Sequence, residues 1–372
     1  MRRGGTVVSD QAWRRWGVVL AVVAVLCSVP IVINAWPARA AAVDPDTLRQ
    51  RIVASAGRPY QGFAQSAGLL PLPSLPNLEQ VTDLVSTTSE MRVWHAGPDR
   101  WRVDVIDGAT ERDVYQTPGA QYVWDSGDTT LTEIVGEQPV RLPRAADLTP
   151  PELVRRVLDI AQGDRLQPLA GRRVAGIAAA GLRIVPATAD TTVDHVDIWA
   201  DPGSGLPVQA EVTAKGGQRP VFRTRFLELE LVTPDAGVVT PPAHHAGMSH
   251  RTTAALDVLG EINRRRPAVL PGDLAGSPRR DAIAGLSAAG VYGTGLAQYV
   301  VVALPGRFGR EAYDRIETFG AGVEVPAGDA AMIGTGLLTV LVVRADRTYL
   351  VAGLVQPDLM KRVAVDLSGA VS

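Results

Sequence analysis

Few residues in this 372-residue chain stand at spacings that do chemistry. His244, His245 and His250 form an H-H-x4-H cluster, the nearest thing to a metal-ligand set. Metal ligation needs ligands that converge from a rigid support. These three lie in a Pro/Gly-rich stretch that offers none, so the reading assigns no metal and no cofactor. His195 stands between Asp194 and Asp197 in a strand-like segment, where it is either a base or an ordinary residue of a solvated face. Asp125 and Asp128 sit in one turn; paired carboxylates can do acid–base work, but turns are also the common home of such acids. Gly293-Thr294-Gly295 and Gly334-Thr335-Gly336 lack the full G-x-G-x-x-G of a dinucleotide site. The sequence contains no G-x-S-x-G, H-E-x-x-H or P-loop. No catalytic residue is assigned, and the expectation is a non-enzymatic protein.

The N-terminus points outside the cytoplasm. Arg2, Arg3, Arg14 and Arg15 precede an uncharged apolar run from Gly17 to Ile33, bracketed by Trp13, Trp16 and Trp36. Basic flanks and interfacial tryptophans belong to a membrane-entering segment with its N-terminus inside. Two outcomes stay open: a retained single-pass anchor in the cell membrane, or a signal cleaved near Ala40 in Ala38-Arg39-Ala40, leaving a secreted or periplasmic protein. Cys27, the sole cysteine, lies within the apolar run, so the exported part uses neither disulfides nor thiols. The chain carries a net −2. Residues 1–40 hold five arginines and one aspartate, so the remainder has 32 basic against 38 acidic residues, and no basic stripe for nucleic acid.

The elements that position these residues read as an α+β protein. Asp44-Pro45 opens an amphipathic helix with Leu48, Ile52, Val53 and Ala56 on its apolar side, stopped by Gly57. Leu69 to Leu78 follows, with three prolines and five leucines; it is either a loop packed on the core or a flap over an apolar cavity. Short alternating segments joined by Asp, Gly and Pro turns then predict an antiparallel meander. Thr149-Pro150-Pro151-Glu152 predicts a capping box opening a helix with Leu153, Val154, Val157 and Leu158 on its apolar face. Between Val221 and Leu231 the alternation slips by one residue after Phe226, which predicts a bulge. Pro234 to Met248 has linker character. Beyond it, Thr253–Ile262 reads as helix, Val291–Leu304 as strand with Leu296, Val300 and Val302 inward, and Phe308, Ala312, Ile316 and Phe319 as one helix face. Leu337–Val343 and Tyr349–Val355 form a hairpin, and Pro357–Leu367 a closing helix. The resulting division is 1–43 targeting segment, 44–235 first domain, 236–252 linker and 253–372 a smaller α+β domain.

Two stretches carry a family resemblance. Residues 92–104, R-V-W-H-A-G-P-D-R-W-R-V-D, and the hairpin V-D-H-V-D-I-W-A-D with G-L-P-V at 193–208 resemble the LolA/RseB-like superfamily of exported proteins. The resemblance covers roughly 44–235, and more weakly the trailing domain. It implies a curved antiparallel half-barrel plugged by helices, with an apolar cavity for lipid or lipoprotein acyl chains. Carried onto this chain, the implied ligand-binding residues are Trp94, Trp101, Val103, Tyr122, Trp124 and Phe222, with Leu72 and Leu75 from the flap. It further implies a sensor or regulator of an envelope stress response, signalling to a membrane partner such as an anti-sigma factor or a transporter. A lipid or lipoprotein carrier, or a transporter-associated binding protein, is the second reading. A hydrolase with an unrecognised site is the third.

Overall fold

The computed structural model describes residues 43–68, 86–107, 110–136, 144–255, 269–280 and 287–369. The stretch through residue 42 expected to target the chain, the stretch with Leu72 and Leu75 expected as a packed loop or a flap, and most of the helix expected from Thr253 lie outside the described residues. Among the described residues, no helix is long and apolar enough to cross a membrane.

Twelve strands form the first sheet: β1 (Tyr60–Gly68), β2 (Thr88–Gly97), β3 (Arg100–Asp107), β4 (Thr110–Thr117), β5 (Ala120–Asp125), β6 (Thr130–Val135), β7 (Arg165–Val174), β8 (Ile177–Val185), β9 (Val193–Ala200), β10 (Pro207–Ala214), β11 (Phe222–Glu230) and β12 (Ser249–Ala254). Their order is β12-β6-β5-β4-β3-β2-β1-β11-β10-β9-β8-β7, an open sheet in which β11 returns beside β1. Every pairing is antiparallel except β12 with β6. The stretch expected to be a linker therefore ends in a strand, and Thr253 and Ala254 are extended rather than helical. Propensity there yields to the free edge of β6, which offers unpaired backbone groups. The bulge falls where the alternation slips: Phe63 faces Glu228 and Ala64 faces Phe226, leaving Leu227 as the extra residue.

Helices cover one face of this sheet. Helix α1 (Pro45–Ala54) is capped by Asp44, whose carboxylate accepts from the Thr47 amide at 3.0 Å, and it buries Leu48 and Ile52 completely, whereas Val53, one position round the helix from Ile52, turns to solvent and is 57% exposed. Its end is pressed against the β9–β10 turn, where Gly205 sits at φ +76° and a Cβ would run into the Arg51 carbonyl. Helix α2 (Pro150–Ile160) buries Val154 and Leu158 and packs on β10 and β11. The expected capping box does not form. A 3-10 turn, Ala145–Leu148, precedes the helix, and the Thr149 hydroxyl donates back to the Ala146 carbonyl at 2.9 Å. Glu152 instead pairs with Arg155.

The second sheet runs β13 (Asp273–Leu274), β14 (Ser277–Arg280), β15 (Ala289–Tyr292), β16 (Tyr299–Leu304), β17 (Ala321–Val323), β18 (Asp329–Gly334), β19 (Thr339–Arg344) and β20 (Thr348–Gly353), in the order β13-β14-β15-β16-β20-β19-β18-β17. It lies between two helices. Helix α3 (Gly306–Phe319) places Tyr313 and Ile316 on Val340 and Val342. Helix α4 (Pro357–Gly369) places Leu359, Met360, Val363 and Leu367 with Leu341 and Val343. Burial on both faces is why β19 reads as an unbroken apolar run. Two expected faces are met only in part: Leu296, and Ala312 with Ile316 in α3, do pack inward. In β16 the inward residues are Tyr299, Val301 and Ala303, while Val300 is 40% exposed. In α3, Phe308 and Phe319 are 51% and 53% exposed. Gly309 turns inward because the helix lies so close to Thr348 of β20 that a Cβ would collide with it.

Candidate functional site

Strand alternation sorts the expected ligand-binding residues onto two faces. The helix-covered face is marked by Thr224, whose hydroxyl donates to the Leu148 carbonyl at 2.6 Å. Phe222, two residues along, shares that face and is 6% exposed. Through the pairings of β11 with β1, β1 with β2 and β2 with β3, the same face carries Met91, Val93, His95, Trp101 and Val103. Val103 is buried in the core shared with α2, and Trp101 packs against it half-buried. His95 stacks on Tyr60 with ring centroids 4.9 Å apart, and its Nδ1 lies 3.0 Å from the Arg58 carbonyl. Burial pulls the His95 imidazole below its ordinary range.

Trp94, Tyr122 and Trp124 are on the other face. One cavity cannot be lined by all six residues, because the sheet backbone separates the two sets. Trp94 stands opposite Arg102, whose guanidinium lies 5.0 Å from the Trp94 ring and 4.9 Å from that of Tyr115. Arg102 Nε donates to Asp104 Oδ1 at 2.5 Å, and Nη2 donates to Asp113 Oδ2 at 2.9 Å. Asp104 and Asp113 are direct cross-strand partners, 1% and 4% exposed. Burial first, then the facing Asp113 and Glu111, outweigh Arg102 and push the Asp104 carboxyl up to about 7. Tyr122 donates from its hydroxyl to Glu133 Oε1 at 3.0 Å, and Trp124 stands beside Asp113 and Leu131.

Where the two sheets meet, side chains from one bond the backbone of the other. Asp164, in the turn after α2, accepts from the Ala187 amide at 2.9 Å through Oδ1 and from the Leu296 amide at 2.9 Å through Oδ2. Gly295, at φ +55°, leaves room for that carboxylate. Gln298 donates to the Ile160 carbonyl at the end of α2, at 3.3 Å. Thr191, in the β8–β9 loop, donates to the carbonyls of Leu296 and Leu354 and bridges to Val355. Thr192 donates to the Leu337 carbonyl, and Gln356 to the Thr191 carbonyl. None of Asp164, Thr191 or Thr192 was singled out by sequence reasoning. They lie in turns without periodicity, and their partners in the second sheet's domain are more than 100 residues away.

The remaining candidates are scattered. His195 Nδ1 is 2.6 Å from Asp194 and its Nε2 3.7 Å from Asp197, which already takes both arms of Arg183. Asp125 caps its own turn through the amides of Gly127 and Asp128. His244 and His245 are exposed, and His250 lies in β12 beside Glu133.

No family model matches the chain, and no curated protein matches it. Solved structures do. The crystal structure of MucB in complex with MucA(peri) shares 19% identity over 87% of this chain and 97% of that chain, with a TM-score of 0.48. The complex structure of Pseudomonas aeruginosa MucA/MucB shares 20% over 86% and 96%, also at 0.48. A LolA superfamily protein from Nitrosomonas europaea shares 11% over 54% and 99%, at 0.25. The solved structures to which this chain is similar thus include MucB and a LolA superfamily protein.

Proposed function

We propose that this chain is a non-enzymatic regulator of the cell envelope, which takes a lipid or lipidated protein between its first sheet and α2 and passes the occupied state to a membrane partner. One observation carries the reading. Helix α2 fills the sheet face with Val154 and Leu158, and its C-terminal end is tied to the second sheet through Ile160 and Asp164. An acyl chain entering that face must displace α2, and α2 cannot shift without pulling on Leu296 and Gln298. A ligand moves such an equilibrium only by its differential affinity for the two arrangements. The residues that would line the opened space are Phe222, Val103 and Trp101. Trp94, Tyr122 and Trp124, on the opposite face, would not. The extracytoplasmic location rests on residues 1–43, and N-terminal sequencing of the native protein decides between a tether and cleavage near Ala40.

The two faces permit a direct test. The full chain is exported in a native-like envelope, purified, and its organic extract analysed by mass spectrometry. The expected result is one acyl lipid per chain, lost in Trp101→Glu and kept in Trp124→Glu. Loss in Trp124→Glu alone would move the ligand to the opposite face and sink the role of α2. No lipid in any form would leave the sheet as a protein-docking scaffold.

A further inference from the structure

The face of the first sheet opposite α2 carries positive charge that the fold leaves unmatched. Strand β7 shifts register between Leu169 and Arg172 and comes within 8 Å of β11, Cα to Cα. Gly181 of β8 permits the close crossing, because a Cβ there would lie 2.7 Å from the Leu169 carbonyl oxygen. The Ala170 carbonyl accepts from Trp199 Nε1 at 3.0 Å, and the Arg172 guanidinium lies 3.9 Å from the Trp199 ring centre. Arg172 Nη1 donates to Glu211 Oε1 at 2.9 Å, and Gln209 Nε2 donates to the same oxygen at 2.6 Å. Across β10 and β11, Glu211 directly faces Arg223, and Gln209 directly faces Arg225. The Arg225 side chain makes no hydrogen bond, ion pair or ring contact with any described residue, and its Nε is fully buried. The Arg223 side chain forms no ion pair with a described residue either. Nearby acids are already engaged: Asp197 by both arms of Arg183, and Glu90 by Gln65, which faces Arg225 from β1. Burial first, then Arg223, hold the Arg225 guanidinium below its ordinary range, with Glu211 acting against them and Arg172 with them. Three guanidiniums around one carboxylate leave two positive charges uncompensated. A partly buried cation without a partner costs stability, so the fold gains nothing from the charge of Arg225.

We propose that Arg223 and Arg225, with Arg172 beside them, bind a doubly charged oxyanion of the phosphate class. Residues two apart on one strand stand about 7 Å apart on one face, so both guanidiniums can close on a single ion between them. A phosphate group carries about −1.5 to −2 at pH 7, which matches the two unpaired charges. The planar guanidinium fork presents paired N–H donors at the spacing of phosphate oxygens. Trp199 holds the head of Arg172 flat, so it is in place before the ion arrives. The same chemistry is offered by free inorganic phosphate and by a phosphoryl group on a larger molecule. The site lies on the face opposite α2 and does not rest on the lipid reading.

Calorimetric titration of the full chain at pH 7.5, with ionic strength held constant by NaCl, tests this with inorganic phosphate and with glycerol 3-phosphate. The expected result is one site with a dissociation constant of about 1 mM or tighter for inorganic phosphate. Tighter binding of the ester assigns a phosphoryl group on a larger molecule as the ligand, and tighter binding of the free ion assigns phosphate itself; either ranking supports the site. Arg225→Gln and Arg223→Gln should each weaken binding at least about tenfold, the loss of one charge-assisted hydrogen bond or more. Arg225→Lys keeps the charge without the fork and should weaken it less. Arg100→Gln, at an exposed position at the start of β3, should bind as the unsubstituted chain does. In phosphate-free buffer Arg225→Gln should melt no lower than the unsubstituted chain, because only an unpaired charge is lost. Absence of binding at about 20 mM phosphate would overturn the proposal, as would binding retained in both glutamine variants. Arg225→Gln melting several degrees lower would give Arg225 a structural role and overturn it as well.

Discussion

Replacing Asp164 by alanine should loosen the two sheets from each other without unfolding either. Its carboxylate accepts two amide hydrogens at 2.9 Å, one from Ala187 in the first sheet's β8–β9 loop and one from Leu296 across the junction. Hydrogen bonds to a charged group contribute about 1.5–3 kcal/mol each. Asp164 is only partly buried, so the lower end applies, and the pair contributes about 3 kcal/mol. Leu296 is 4% exposed, so its amide gains little from water once the carboxylate is gone. A loss of about 3 kcal/mol corresponds to roughly a hundredfold rise in local opening. Thr191, Thr192 and Gln356 keep their own cross-junction bonds, so the sheets should remain associated. Amide hydrogen exchange reads this directly: protection at Leu296 and Ala187 should fall about a hundredfold, while the strands at the centre of each sheet keep theirs. Protection at Leu296 that changes less than threefold would refute the assignment of Asp164 as the tie. Equal loss throughout both sheets would show that they unfold as one block, and would remove the basis for signalling through α2.

Three further outcomes follow from the geometry. Gly205→Ala forces a side chain into positive φ and against the Arg51 carbonyl, and should cost about 2–4 kcal/mol in urea unfolding; a loss under about 0.5 kcal/mol would mean α1 is not held by that turn. Thr224→Val removes the buried donor to the Leu148 carbonyl and should cost about 1–3 kcal/mol by the same assay, whereas an unchanged midpoint would show that the turn before α2 is held by other contacts. The folded chain holds His95 below its ordinary 6.5, so between the two values the unfolded chain binds more protons. That contribution to stability is complete above about pH 6.5 and is lost as pH falls through the folded value. The melting temperature should therefore drop from pH 7 to pH 5, and less steeply in His95→Gln; identical slopes would exclude His95 as the cause.

Much of the fold was legible because local rules govern it. Asp44-Pro45 places the start of α1, and the turn residues separate β2 through β6. The slip after Phe226 locates the bulge, since a phase change in a period-two pattern has no other reading in a strand. Local rules fail where burial comes from two sides or from a neighbour. The residues of β16 and α3 are apolar on more than one side, so periodicity alone could not choose Tyr299 over Val300, or Tyr313 over Phe308. The Thr149 hydroxyl can accept from a first-turn amide or donate to a preceding carbonyl, and the 3-10 turn before it, not the sequence box, decides that it donates to Ala146.

The site residues divide along the same line. By itself the sequence determined which residues are aromatic, apolar and strand-forming. Alternation along each strand even separates Trp94 from Val93, and Trp101 from Arg102. What it does not contain is how one strand's phase relates to the next. That depends on register, and register is a contact between residues distant in sequence. Only the tertiary structure therefore put Trp101, Val103 and Phe222 on the helix-covered face, and Trp94, Tyr122 and Trp124 on the opposite one. Register likewise brought Asp104 against Asp113, and the packing of one sheet on the other brought Asp164 to Leu296.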